Sequence, residues 1–337
     1  MGEKTVKTIE DIARLANVSK STVSRALSDS SLVKQETKDL IKKIASENDF
    51  CINQSARSLS IKQSKTIAFV THAYYNEYFS IEDLFGLEIM GGISNGLYGL
   101  GYDLLVIHVK PGDTRWAHEY LDSGRVDGFI LMTSCRKIKH VKTLADAQAP
   151  FIVWGFPPED YDCCSVAGDD VKGGKIATEY LIRSGRKNVG FIGGPADEIE
   201  VQHRMKGYRS AMEAAGVGMD PSLMVHGDYS HASGKIAMEQ LLQQRPDVDA
   251  VFVNSDLMAI GAINVIQKFG KRVPEDIAVV GYDDLTIAAY NNLPLTTISQ
   301  KIAMAGKLLA QNLVQYIQTG LVSHVTIPVE LVVRESA

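Results

Sequence analysis

Cysteine is scarce in this chain, and the four present (Cys51, Cys135, Cys163 and Cys164) lack the paired spacing that holds a metal. Adjacent Cys163 and Cys164 make poor disulfide partners, so all four read as reduced thiols in a cytoplasm. Long apolar runs are missing too. No stretch approaches the roughly 18 apolar residues of a membrane span, and the opening MGEKTVKTIEDI has no export-signal core. A strong charge of either sign is also absent: 35 Lys and Arg stand against 40 Asp and Glu, a net of -5. By itself that argues against a nucleic-acid partner.

Catalytic signatures are absent as well. There is no G-x-G-x-x-G, and the eight histidines form no H-E-x-x-H. GISNG (92–96) matches G-x-S-x-G, but it continues a helical stretch from Ile81 instead of ending a strand. GDDVKGGK (168–175) fails as a phosphate loop because Gly174 stands where Lys is required. No catalytic residue, metal site or cofactor is expected, and the chain does not read as an enzyme.

What is present is unevenly distributed. Residues 1–65 hold 12 Lys and Arg against 8 Asp and Glu, and the remainder holds 23 against 32. A mildly basic head on an acidic body assigns any DNA contact to the head. At 337 residues the chain also exceeds one core, so two or three domains are expected.

In the head, Thr8 is a good N-cap, with Asp11 completing a capping box. Ile9, Ile12, Ala13, Leu15 and Ala16 follow at helical spacing, and Asn17-Val18 breaks the helix. Ser19 can cap a second helix with Val23, Ala26 and Leu27 on one face and Lys20, Ser21, Ser24 and Arg25 on the other. A third helix spans roughly Lys34–Glu47, with Leu40, Ile41, Ile44 and Ala45 inward. Three helices with one tight turn make a helix-turn-helix. A helix entering the major groove needs small or hydrogen-bonding residues near its start. Arg25 can pair with guanine, Lys20 can reach base acceptors, and the hydroxyls of Ser21, Thr22 and Ser24 suit bases or phosphates. The competing reading is a solvated helical hairpin.

NQSARSLS (53–60) offers a cap in Asn53 and a short helix carrying Ala56, Arg57 and Leu59. So short a helix is unstable alone in water. It either forms on docking, with Leu59 wedged into the minor groove, or is a polar linker.

From Thr66 the pattern becomes α/β. TIAFV, DLLVIHV, GFILM, FIVW, VGFIGG, AVFVN and IAVVGYDD read as parallel strands buried on both faces. RVDGFILMTS (125–134) and DVDAVFVNSD (247–256) echo one another, each leading from Val-Asp into a strand. Two doubly wound parallel-sheet lobes fit, with a ligand between them at the carboxyl ends of the strands. Ser255, Asp256, Asp283 and Asp284 fall just past strands, and Arg204 opens a helix. With Trp154 and Tyr229 they suit a polyhydroxylated small molecule, although loop carboxylates are more often simply solvated.

TIEDIARLANVSKSTVSRAL, ARSL, GDDVKGGKIATEYLIRSGRKNVGFIGGP, RMKGYRSAM, SDLMAIGAI, RVPEDIAVVGYDD and the closing LTTISQ…PVELVVRES together resemble the lactose/galactose-repressor (LacI/GalR) family, nearly end to end. The resemblance implies an all-α helix-turn-helix head with a hinge helix (1–60, hinge about 53–60). It implies a periplasmic-binding-protein-like effector and dimerisation core over 61–337. The N-terminal lobe would take about 66–168 and 299–327, and the C-terminal lobe about 169–298 and 328–337. Lys20, Ser21 and Arg25 would read bases and Leu59 would be the wedge. Arg204, in R-x-x-G-(Y/W), and Asp283, in VGYDD, would bind effector. Ser255 replaces a frequent Asn, Tyr229 occupies the place of a stacking aromatic, and Trp154, His72 and Phe79 would line the N-terminal lobe. Ile52 replaces the usual Pro before the hinge, and THAYYNEYFSIEDLFG departs from the usual Asn-Pro-Phe-Phe.

The resulting expectation is a cytoplasmic homodimer that binds a palindromic operator in double-stranded DNA and releases or grips it under control of a small sugar. It would repress carbohydrate-utilisation genes and touch no membrane. Activation, a purine or nucleoside effector, and a transporter's solute-binding protein are the rival readings. Carboxylates Asp256, Asp283 and Asp284 at the cleft edge favour a neutral saccharide. The close at VVRESA without a heptad segment favours a dimer over a tetramer.

Overall fold

A computed structural model describes residues 8–50, 63–71, 84–109, 113–132, 138–157, 160–218 and 220–337. The chain divides into two compact units, Met1–Ser64 and Lys65–Ala337.

The first unit holds α1 (Ile9–Leu15), α2 (Lys20–Leu27) and α3 (Gln35–Glu47). Thr8 Oγ1 accepts the Asp11 amide at 3.2 Å, and the Asp11 carboxylate accepts the Thr8 amide in return. Asn17 turns the chain at φ 51°, and Ser19 Oγ accepts the Thr22 amide at 3.1 Å to start α2. Ile12, Ala13, Ala16, Val23, Ala26, Ile41 and Ala45 form the small core. Leu40, expected inward, is 47% exposed. The buried stripe of α3 runs through Lys38, Ile41 and Ala45, and a residue one step from Ile41 lies about 100° round the helix. Lys38 is tolerated there because its ammonium donates to the Asp29 carbonyl at 3.0 Å.

The second unit continues in order with β1 (Thr66–Thr71), α4 (Leu84–Tyr98), β2 (Asp103–His108), α5 (Trp116–Asp122), β3 (Gly128–Met132), α6 (Ile138–Asp146), β4 (Phe151–Trp154) and β5 (Cys164–Gly168). Next come α7 (Asp170–Arg183), β6 (Val189–Gly193), α8 (Ile199–Ala214), β7 (Met224–His226), α9 (His231–Gln244), β8 (Ala250–Val253), α10 (Asp256–Lys268), β9 (Ala278–Asp283) and α11 (Thr286–Tyr290). β10 (Thr296–Ser299), α12 (Ile302–Thr319), β11 (His324–Ile327) and β12 (Glu330–Val332) close it. GISNG falls within α4, where Gly92 packs on the backbone of Ala303 in α12.

The strands make two sheets, ordered β11-β5-β4-β3-β1-β2 and β12-β10-β9-β8-β6-β7. All described pairings are parallel except β10 with β12. Alternation along each strand feeds two apolar layers: Ile67 and Phe69 point to the α4–α12 side, while Ala68 and Val70 point to the other. The second sheet is covered on both faces in the same way. Two doubly wound lobes result.

The sequence echo marks equivalent strands. β3 and β8 each lie beside the first strand of their lobe, and each is preceded by an aspartate doing the same work. Asp127 accepts the Lys65 amide at 2.9 Å and its own amide donates to the Thr66 carbonyl. Asp249 accepts the Lys187 and Asn188 amides at 2.9 and 3.0 Å and its amide donates to the Asn188 carbonyl.

Three chain crossings join the lobes, at 168–170, 300–301 and 328–329. They run side by side: the Asp169 amide donates to Ile327 O at 3.1 Å, and a Cβ on Gly168 would meet Gln300 Oε1 and Val329.

Candidate functional site

In the head, Lys20, Ser21, Ser24 and Arg25 are exposed along one side of α2, with Val23 and Ala26 buried on the other. Lys20 is ion-paired with Glu10, and Ser21 Oγ lies 2.8 Å from Ser19 Oγ. Thr22 is half-buried, its hydroxyl 2.8 Å from the capping Ser19. Exposed cations and hydroxyls over a rigid apolar base are what phosphate and base-edge contacts require. Asn53, Ala56 and Leu59 lie outside the described residues.

In the core, the carboxyl end of the C-terminal lobe's sheet carries a buried polar cluster centred on Arg204. Its Nε donates to Asp170 Oδ1 at 2.8 Å, its Nη1 donates to the Asn254 carbonyl at 2.8 Å, and its guanidinium lies 3.8 Å from the centroid of the Tyr282 ring. Tyr282 Oη donates to the same Asp170 oxygen at 2.8 Å. Burial works against the guanidinium's charge, but Asp170 and the neighbouring Tyr282 hold its pKa well above the ordinary arginine value. α7 and α8 must come close for this geometry. Gly174 and Gly207 allow it: a Cβ on the first would strike Arg204 O and on the second Val171 O. Gly174 of GDDVKGGK therefore serves helix packing, Gly173 makes room for the Tyr282 side chain, and Asp170 holds the arginine.

Asp283 ends β9 at φ 120° and accepts from Gln300 Nε2 at 2.8 Å. Burial pushes its carboxyl up to about 7, with Arg204 opposing. Gln300 sits in one of the crossings, so the cluster is wired directly to the connection between lobes. Tyr229 packs its ring over Gly194, where a Cβ would collide with it, and Glu198 and Glu200 lie near its phenol. Burial raises the Tyr229 phenol well above its usual range. Glu200 is also raised, to about 7, by burial, with the nearby Asp170 and Glu198 charges adding to the effect.

Other residues fall elsewhere. Ser255 Oγ caps α10, accepting the Met258 amide at 3.3 Å. Asp256 and Asp284 do not form the cleft edge expected of them. Asp256 is fully buried, bonded to the Thr297 hydroxyl and to the Leu285 amide at 2.7 Å, and burial holds its pKa well above the carboxylate range. Asp284 pairs with Arg334 at 2.6 Å. Trp154 ends β4, buried, with its ring 5.8 Å from Phe85. His72 and Phe79 lie outside the described residues.

The lobes meet through Phe156, whose ring stands edge-on to His203 at 4.5 Å, and through the Thr286 amide, which donates to Glu88 Oε1 at 2.8 Å. Asp170, Tyr282, Gln300, Asn254, Glu198 and Glu200 were not singled out from sequence. Four of them stand inside motifs that were: Asp170 in GDDVKGGK, Tyr282 in VGYDD, Gln300 in LTTISQ and Asn254 in AVFVN.

Among the described residues no helix is long and apolar enough to cross a membrane, and no group of His, Cys, Asp and Glu is placed to hold a metal ion. A helix-turn-helix unit attached to a two-lobed core with a buried polar centre defines a ligand-responsive DNA-binding regulator. Residues 8–53 match the family of bacterial regulatory proteins of the lacI type, and residues 178–337 match a periplasmic binding protein-like domain. The chain is 35% identical over 338 residues to the HTH-type transcriptional regulator CelR of Thermobifida fusca, covering 98% of each chain. Its structure is similar to that of a CelR–cellobiose complex (33% identity, TM-score 0.75, 98% and 99% covered). It is also similar to the lac repressor dimer bound to operator and the anti-inducer ONPF (27% identity, TM-score 0.84, 99% of each chain covered). The chain belongs to the LacI family of bacterial transcription regulators.

Proposed function

We propose that this chain is a cytoplasmic homodimer that binds a palindromic operator and represses carbohydrate-utilisation genes under control of an uncharged saccharide held between its lobes. The Arg204 cluster carries the reading. The guanidinium is already paired with Asp170, and Asp283 and Glu200 are buried beside it, so no unpaired cation waits for a phosphorylated or carboxylated effector. Carboxyls raised to about 7, as at Asp283 and Glu200, can present a proton to a hydroxyl as well as accept one. Arg204 and Asp283 are the effector contacts, with Tyr229 as the stacking face and Ser255 and Trp154 as further contacts. The cellobiose of the CelR complex and the operator of the lac repressor dimer support the same reading.

On DNA, Lys20, Ser21, Thr22, Ser24 and Arg25 contact the major groove. Asn53, Ala56 and Leu59 supply a hinge whose leucine enters the minor groove. Effector binding shifts the lobes through the crossings, with a coupling of about 1–3 kcal/mol, or about 5–150-fold in operator affinity. Fluorescence anisotropy on DNA from upstream of the protein's own gene, repeated with mono- and disaccharides and with purine bases, tests the whole. One sugar shifting the affinity about tenfold is the expected result. A shift by purines alone overturns the saccharide, and no specific binding overturns the regulator. Leu59→Ala should weaken operator binding far more than binding to random DNA; equal losses remove the wedge.

A further inference from the structure

Asn254 stands one residue past β8, and neither its Nδ2 nor its Oδ1 has a hydrogen-bond partner among the described residues, although the residue is fully buried. Its backbone, by contrast, is completely used: the amide donates to Ile192 O at 2.9 Å and the carbonyl accepts Arg204 Nη1 at 2.8 Å. The amide–Ile192 bond continues the ladder with β6, so the side-chain alternation of the strand holds through this position. Ala250 and Phe252 face the α7–α8 layer, Val251 and Val253 the α9–α10 layer. Asn254 therefore falls on the α7–α8 side, the side that carries Arg204, Asp170 and Tyr229. The Nδ1 of His203, the residue before Arg204, is likewise buried without a partner among the described residues.

A buried carboxamide with both ends unpaired is strongly unfavourable, and native proteins retain one where something else completes it. An apolar residue of the same shape would serve the core better, so packing does not explain the choice. We propose that Asn254 is an effector-contacting, specificity-determining residue: its amide is held unpaired beside Arg204 and is completed by a ligand hydroxyl that both donates and accepts. The inference rests on the saccharide reading above and deepens it. A ligand hydroxyl satisfies Nδ2 and Oδ1 together, whereas a carboxylate or phosphate oxygen satisfies Nδ2 alone. Parting of the lobes at the Phe156–His203 contact gives the ligand access.

The test uses the full chain with Asn254→Leu, which keeps the shape, and Asn254→Ala, which removes any steric conflict. Ligand-free thermal unfolding is recorded first. Calorimetric titration follows with cellobiose, glucose, galactose, lactose and ribose, and the sugar that binds the wild type is carried to the variants. At least one variant should melt at or above the wild-type temperature. Both should bind sugar at least about tenfold more weakly while keeping ligand-free operator affinity within about twofold. Lowered melting in both variants, or a sugar affinity within about twofold of wild type, overturns the assignment and makes Asn254 structural. Wild type silent to the whole panel overturns the saccharide reading, and this inference with it.

Discussion

The two lobes of the core are built alike and finished differently. Each opens with a central strand and adds its second strand on one side. The third, fourth and fifth follow on the other, and each takes its edge from the last stretch of chain. Each begins its third strand with an aspartate that fastens the start of the first, Asp127 in one lobe and Asp249 in the other. They part at the edges and at the carboxyl ends. β11 joins its sheet parallel, β12 antiparallel. The carboxyl end of the C-terminal lobe's sheet holds the buried Arg204–Asp170–Tyr282 assembly, whereas at the described strand ends of the N-terminal lobe Thr71 bonds to the Ile107 carbonyl and His108, and Trp154 packs on Phe85. A shared frame thus supports two separable tasks, with the charged, desolvated chemistry concentrated in one lobe.

The sharpest way to break that comparison is Arg204→Ala. It leaves Asp170 buried without its cation, so unfolding free energy should drop by about 3–5 kcal/mol in denaturant titrations, and the sugar response of operator binding should vanish. Lys142→Ala, which opens the exposed Lys142–Asp146 pair of the N-terminal lobe, should leave the unfolding midpoint close to that of wild type. Equal losses would mean that the asymmetry between lobes is geometric only.

A smaller effect tests the shared frame. Asp127→Ala and Asp249→Ala each remove charge-assisted bonds from the same point of the fold, and each should cost about 1.5–3 kcal/mol. A loss from one and none from the other would mean that the echo in the sequence has no common physical role.

A further effect concerns protons. Burial raises the Asp283 carboxyl to about 7, above its unfolded value of 3.8, so the folded state binds more protons between those limits. Stability should therefore fall as pH rises from about 4 to about 7, with the favourable contribution fully present only below that window. Glu200 acts in the same direction. Asp283→Asn should flatten the slope of unfolding midpoint against pH, and a slope as steep as wild type would assign the proton elsewhere.

Strands with continuous apolar runs, β1, β3, β4, β6, β8 and β9, are readable as such because both faces of each are covered; β2 also has such a run, but it is an edge strand with Val106 41% exposed and is not buried on both faces as its sequence suggests. β5, β7 and β10 to β12 are not readable in this way. β7, β11 and β12 sit at edges, β5 and β10 carry small or polar residues in place of an apolar run, and His324, Thr326 and Glu330 gain strand geometry from their neighbours instead of from their own pattern. Arg204 and Asp283 could be named from local motifs. Asp170, Tyr282 and Gln300 could not, since their roles come from partners distant in the chain: Arg204 and Tyr282 meet on one Asp170 oxygen, and Gln300 reaches back to Asp283. Leu40 was misplaced for a simpler reason. Its hydrophobicity suggested the core, but the stripe chosen by α3 admits Lys38 because a carbonyl waits for its ammonium.

The threefold crossing also governs the order in which this molecule can be made. β1 to β5 leave the ribosome well before α12, yet α12 covers the face formed by Ile67, Phe69, Ile130 and Ile152 and seats Gly306 against the backbone of α4. Until Ile302–Thr319 is synthesised, α4 alone covers that apolar face, and the part that α12 will take is open to chaperones or to other nascent chains. The last strands then close the two sheets in quick succession, β11 on the first and β12 on the second. A translation stop just ahead of Ile302 therefore leaves one lobe without α12 and β11 and the other without β12, and the pace of elongation through the C-terminal lobe sets how long the first must wait.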